Sequence, residues 1–131
     1  MRRLLPGVAV AVAMSLSSTA QADVLSAMPA CYVDTWGWDY LTAYGCTANA
    51  SPSTTIVTFG VLGIDQSGGR YIIEFLDGTC DQVGNGGHDG YICNRIIYHG
   101  QTFSQRMRVY DTWTNQWSSI LPASASYYSD N

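Results

Sequence analysis

The chain has 131 residues, 47% of them hydrophobic and 12% charged, with a formal charge of −4; all of its cations are arginine, and lysine is absent. That length suits one domain. The acidic balance argues against nucleic acid or an anionic membrane surface as a partner, because both reward clustered positive charge.

The first 22 residues read as a secretory leader. Arg2 and Arg3 supply the positive start, residues 4–16 an apolar run broken by Pro6 and Gly7, and Ala20-Gln21-Ala22 a small-residue cleavage site. Residues 1–22 are therefore expected to be a signal peptide, and 23–131 a single secreted or periplasmic domain. Loss of the two leader arginines takes the formal charge from −4 to −6. Residues 23–131 hold no apolar run near the ~20 residues of a transmembrane helix, so no membrane partner is expected.

In an oxidising compartment Cys31, Cys46, Cys80 and Cys93 read as disulfide partners. Four cysteines allow three pairings. The local arrangement, Cys31 with Cys46 and Cys80 with Cys93, is preferred because each pair flanks a short segment able to return on itself. Closing a loop of about 15 residues contributes ~3 kcal/mol in the chain-entropy picture. A redox role fits poorly, since it commonly uses a C-x-x-C spacing that this chain lacks.

Residues 23–30 are expected to be an extended lead-in. Residues 31–46 then place aromatic side chains at even positions, Tyr32, Trp36, Trp38, Tyr40 and Tyr44. Period two predicts a strand with one aromatic face. A helix from Asp34 to Gly45 would instead stack Trp36, Tyr40 and Tyr44, but Gly37 and the Trp, Tyr and Thr content favour the strand. Residues 47–53 read as a polar connection. Residues 54–64 are apolar on both faces, as in a central strand, and 65–69 carry turn chemistry. Residues 71–77 alternate again, so the runs 54–64 and 71–77 are expected to pair as a hairpin.

Residues 77–90 are rich in Gly and Asp and read as an irregular loop. Residues 94–98 and 103–111 flank His99-Gly100-Gln101-Thr102, which predicts a second hairpin with Gly100 in a tight turn. Within it, Arg106-Met107-Arg108-Val109-Tyr110 sets guanidinium groups on one face and apolar side chains on the other. A third reversal at residues 114–116 is expected to bring Trp113 and Trp117 together, and residues 123–128 form the closing strand. The sum is an all-β fold, a small antiparallel β-sandwich of about seven strands braced by disulfides, with a β-barrel as the alternative.

The sharpest candidate site is an aromatic face built from Trp36, Trp38, Tyr40 and Tyr44 and joined by Trp113 and Trp117. Such rings stack on the apolar faces of pyranose sugars, and Asp39, Asn115 and Gln116 could bond the hydroxyls. For any one ring taken alone a place in the core is the favoured reading, since burial is the common fate of large aromatics. Several rings sharing one exposed face would decide for a site.

The loop 77–90 offers Asp77, Asp81, Asn85 and Asp89 as oxygen donors, but their spacing fits no Ca²⁺ motif, and a solvated, disulfide-closed turn is the expected reading. His88 and His99 stand without a nucleophile elbow or a zinc-binding helix motif. The single Glu74, with Arg70 or Arg95 as ion partner, reads as structural. No catalytic residue, metal or cofactor is assigned. The expected function is an exported, non-catalytic binding module for a glycan or cell-surface polymer. The alternative is a protein-binding device, such as an inhibitor of a secreted hydrolase, that presents the loop 77–90. A small hydrolase using His88 ranks last.

Overall fold

The computed structural model describes residues 26–35, 40–78, 81–83 and 91–130, and all regular structure among them is strand. The leader 1–22 lies outside these residues. Ten strands follow in chain order: β1 (Met28–Val33), β2 (Thr42–Ala43), β3 (Gly45–Ala50), β4 (Thr54–Leu62), β5 (Tyr71–Phe75), β6 (Asp81–Val83), β7 (Ile92–Tyr98), β8 (Gln101–Asp111), β9 (Gln116–Trp117) and β10 (Leu121–Ser129). They build two sheets, one in the order β2-β1-β4-β7-β6, the other β3-β10-β8-β5 with β9 beside β8. Among the described residues both sheets stop at unjoined edge strands. The barrel alternative is thereby corrected to a sandwich-like pair of open sheets.

Alternation explains the layering. On β8, Gln105, Met107, Val109 and Asp111 are buried while Arg106 faces solvent, and on β10 Leu121, Ala123, Ala125 and Tyr127 point inward. Met107, Val109 and these four β10 residues meet Val57, Phe59, Val61 and Ile97 of the facing sheet in one core. Full burial of Phe59 alone contributes roughly 2 kcal/mol. β4 is the central strand that its two-sided apolar pattern predicts, paired with β1 and β7 and buried from Val57 through Val61. Its outer face is closed at Gly60, where an added Cβ would lie 3.1 Å from the Leu41 side chain.

Residues 31–46 correct the single-strand expectation. β1 ends at Val33, β2 returns antiparallel on it with Ala30 opposite Ala43, and Tyr44 takes a left-handed φ of 71° before Gly45 opens β3. The Cys31–Cys46 bridge holds Cα atoms 5.7 Å apart, whereas 15 extended steps would separate them by ~50 Å. One long strand and a local disulfide are incompatible, and the chain takes the disulfide. Because Cys31 lies on β1 and Cys46 on β3, the bridge joins the two sheets. β3 also replaces part of the connection expected at 47–53, running parallel to β10.

Two expected hairpins are absent, since β4 and β5 lie in different sheets, as do β7 and β8. Both edges of β4 are already taken by β1 and β7, so the half-solvated β5 pairs with β8 instead. At the β7–β8 turn, the Tyr98 N–H donates to Gln101 Oε1 and the Gly100 N–H to the Tyr127 carbonyl, so the bonds lead into the opposite sheet. Gly100 does take the positive φ that the turn needs, at 80°. The third reversal forms as β8–β9, with Asp111 opposite Gln116 and Asn115 left-handed at φ 56°. Cys93 is disulfide-bonded. Its expected partner Cys80 lies outside the described residues.

Candidate functional site

The β8–β9 hairpin carries two of the expected aromatic residues on fixed supports. Outward positions on β8 recur every second residue, so Arg106, Arg108 and Tyr110 share the solvent face. The β5 register sets Ile72 opposite Tyr110 and Glu74 opposite Arg108, and the β9 register sets Trp117 opposite Tyr110. Arg108 then lies 3.9 Å above the Trp117 ring centre, and the Tyr110 ring stands 4.8 Å from it. Two nitrogens of Arg108 donate to the Glu74 carboxylate at 3.0 to 3.2 Å. The result is a carboxylate–guanidinium–indole stack with Trp117 still 44% exposed.

Trp113 repeats this construction in the turn. Arg70, just before β5, donates to both oxygens of the buried Asp111 at 2.9 and 2.6 Å, and its guanidinium lies 4.5 Å from the Trp113 ring centre. Asp111 also accepts the Trp113 backbone N–H at 2.9 Å. The Arg70 bond, assisted by that N–H, outweighs desolvation and holds the Asp111 carboxyl at a pKa of about 2. Trp113 remains 74% exposed and borders a cavity of about 260 Å³ with Asp65, Ser67, Arg70 and Tyr71. The expected contact between Trp113 and Trp117 is replaced, since Trp117 meets Tyr110 and Trp113 meets Arg70. Asn115 accepts the Tyr110 hydroxyl proton, and Gln116 is exposed.

Tyr40 and Tyr44 sit elsewhere, Tyr40 just before β2 and Tyr44 at the corner where the chain leaves β2 for β3. They are 75% and 64% exposed, and neither ring has an aromatic or cationic partner among the described residues. The Tyr44 backbone is held by Pro29 and Ser124. Ser124 and Trp117 stand opposite Ser104 and Tyr110, six residues apart along β8, a separation of ~20 Å. The structure therefore brings Trp113 and Trp117 onto one hairpin and leaves the two tyrosines apart from them. Trp36, Trp38 and Asp39 lie outside the described residues, as do Asn85, His88 and Asp89.

Several supporting residues were not legible beforehand. Glu74 pairs with Arg108, and not with Arg70 or Arg95, because the β5–β8 register sets them directly opposite. Asp77, considered as a Ca²⁺ ligand, has both oxygens on Arg106, whose hydrogen bonds lower its pKa. His99 packs on Tyr127 and bonds the Ala50 carbonyl at 2.8 Å. Among the described residues no group of three His, Cys, Asp or Glu side chains is arranged to hold a metal. The inter-sheet disulfide fits an oxidising extracellular or periplasmic compartment.

No family model, curated protein sequence or solved structure matches this chain.

Proposed function

We propose that this chain is an exported, non-catalytic module that binds a glycan or cell-surface polymer, with the indoles of Trp113 and Trp117 as its contacts. One observation carries the reading. Two exposed indoles project from one hairpin, each laid on a guanidinium that a carboxylate fixes, Asp111–Arg70–Trp113 and Glu74–Arg108–Trp117. Core rings need no such fixtures, and an unsupported surface indole loses rotamer freedom when it binds. Here that ordering is done in advance. A pyranose presents a flat array of C–H groups to an indole face, while its hydroxyls suit the Asp65 and Ser67 side chains beside Trp113. The leader sequence and the disulfide supply the exported setting.

Affinity electrophoresis tests it, with the oxidised chain run through gels that each contain one neutral or acidic polysaccharide. Retardation in at least one gel is expected, with Trp117→Ala and Trp113→Ala each weakening it about tenfold, near 1.4 kcal/mol. Equal mobility in every gel would end the proposal.

A further inference from the structure

We infer that the groove between β7 and β8 is a carboxylate-binding subsite, and that it takes the uronate group of an acidic sugar. Three of the four described arginines already have a carboxylate: Arg70 has Asp111, Arg106 has Asp77 and Arg108 has Glu74. Arg95 has none within ion-pair reach among the described residues. It is nevertheless partly buried, held 4.2 Å over the Phe103 ring at the open side of the sandwich. The nearest carboxylate, Asp77, acts on Arg95 only through space while its oxygens are bonded to Arg106, and a partly buried cation with no bonded counter-ion is favourably met by a bound anion.

The space beside Arg95 is built to receive one. A groove of about 460 Å³ is bounded by Asp77, Gly78, Arg95, Thr102, Ser104 and Arg106, with Phe103 as its floor. Two guanidinium groups against the single Asp77 carboxylate leave one positive charge, which suits a monoanion. Backbone groups of alternate residues on β8 point to opposite edges. Those of Arg106 meet Leu76 and the Asp77 side chain, and because β5 pairs no further than Met107, those of Ser104 and Thr102 open on the groove with no strand among the described residues beside them. An oxyanion there could take the Arg95 fork and the Ser104 N–H together.

Two features favour a sugar as the source of the carboxylate. The free edge runs over residues 101–105 but turns the backbone groups of only two of them, Thr102 and Ser104, toward the groove, few for strand addition by a peptide. Ser104, Arg106, Arg108 and Tyr110 also form one outward row on β8 that ends beside Trp117, so a chain lying on the indole would run toward the groove. This assignment of the carboxylate to a sugar rests on the glycan reading.

The test is a nuclear magnetic resonance titration of the ¹⁵N-labelled oxidised chain with glucuronate, its methyl ester, glucose and N-acetylglycine. Glucuronate should shift the Arg95 Nε–H and Ser104 N–H signals, with the ester and glucose at least about tenfold weaker. Arg95→Met keeps an unbranched side chain on Phe103 and should abolish the Ser104 response, while Arg95→Lys should retain part of it. Silence at Ser104 and Arg95, or equal shifts with the ester, would overturn the subsite. Tighter binding of N-acetylglycine than of glucuronate would overturn the sugar assignment. The indole N–H signals of Trp113 and Trp117 report separately when an oligomeric glycan is added. Silent indoles sink the aromatic reading alone, and a silent Arg95 beside responsive indoles sinks the groove alone.

Discussion

Tyr40 is as exposed as Trp113, and Tyr44 more so than Trp117, yet the two regions are built differently. At the β2–β3 corner, order comes from the backbone and from the Cys31–Cys46 bridge beneath it, and the phenol rings have no ring contacts among the described residues. On the β8–β9 hairpin, order extends outward to the rings through Arg70 and Arg108. Exposure of an aromatic side chain is therefore a weak sign of a binding site. Prior fixing of an exposed ring is a stronger one, because it lowers the entropy lost on binding.

The difference can be broken from either side. The largest expected effect is at Asp111, where Asp111→Asn removes the buried carboxylate that accepts two bonds from Arg70 and should cost about 4 kcal/mol in urea unfolding. The same variant should loosen Trp113, read as greater acrylamide quenching. Next, replacing Cys31 and Cys46 together by Ala should cost ~3 kcal/mol by opening the loop at the other region. Glycan retention should survive it, since the bridge lies away from the indoles.

Acid gives a graded version of the first perturbation. The Asp111 carboxyl titrates near 2 when folded, below its ordinary value, so its contribution is fully present above pH ~4 and is lost as pH falls toward 2. The stability gap between wild type and Asp111→Asn should close over that window. If the gap is flat from pH 5 to 2, the Arg70–Asp111 pair does not stabilise the hairpin end. The smallest effect is expected at Glu74→Gln. Its ion pair with Arg108 is partly exposed, so stability should change by about 0.5 kcal/mol, while Trp117 gains mobility and glycan retention weakens.

Much of the strand content was legible in the sequence, and the pairing was not. The two-sided apolar run at Val57 and Phe59 marks a central strand, and the alternation of Arg106, Met107, Arg108 and Val109 correctly separates solvent from core. Which strands become neighbours depends on long-range register. The turns at residues 63–70 and at Gly100 have hairpin chemistry, but each carries the chain to the opposite sheet. Over residues 31–46 the sequence carries two signals that exclude each other, since a Cys31–Cys46 bridge forbids one extended strand between its ends. For the site, Trp113 and Trp117 stand out in the sequence as two indoles flanking a short turn. Their supports, Arg70 from 43 residues upstream of Trp113 and Glu74 opposite Arg108, are products of the β5–β8 ladder and carry no local signal.

The most direct test sets the two aromatic regions against each other on one polysaccharide that retains the wild-type chain. The Trp113→Ala/Trp117→Ala double variant should lose about a hundredfold in affinity, the sum of two contacts of ~1.4 kcal/mol each, while Tyr40→Ala/Tyr44→Ala should stay within about twofold. Undiminished retention of the tryptophan variant, or a larger loss in the tyrosine variant, would contradict the claim that fixed indoles form the binding surface.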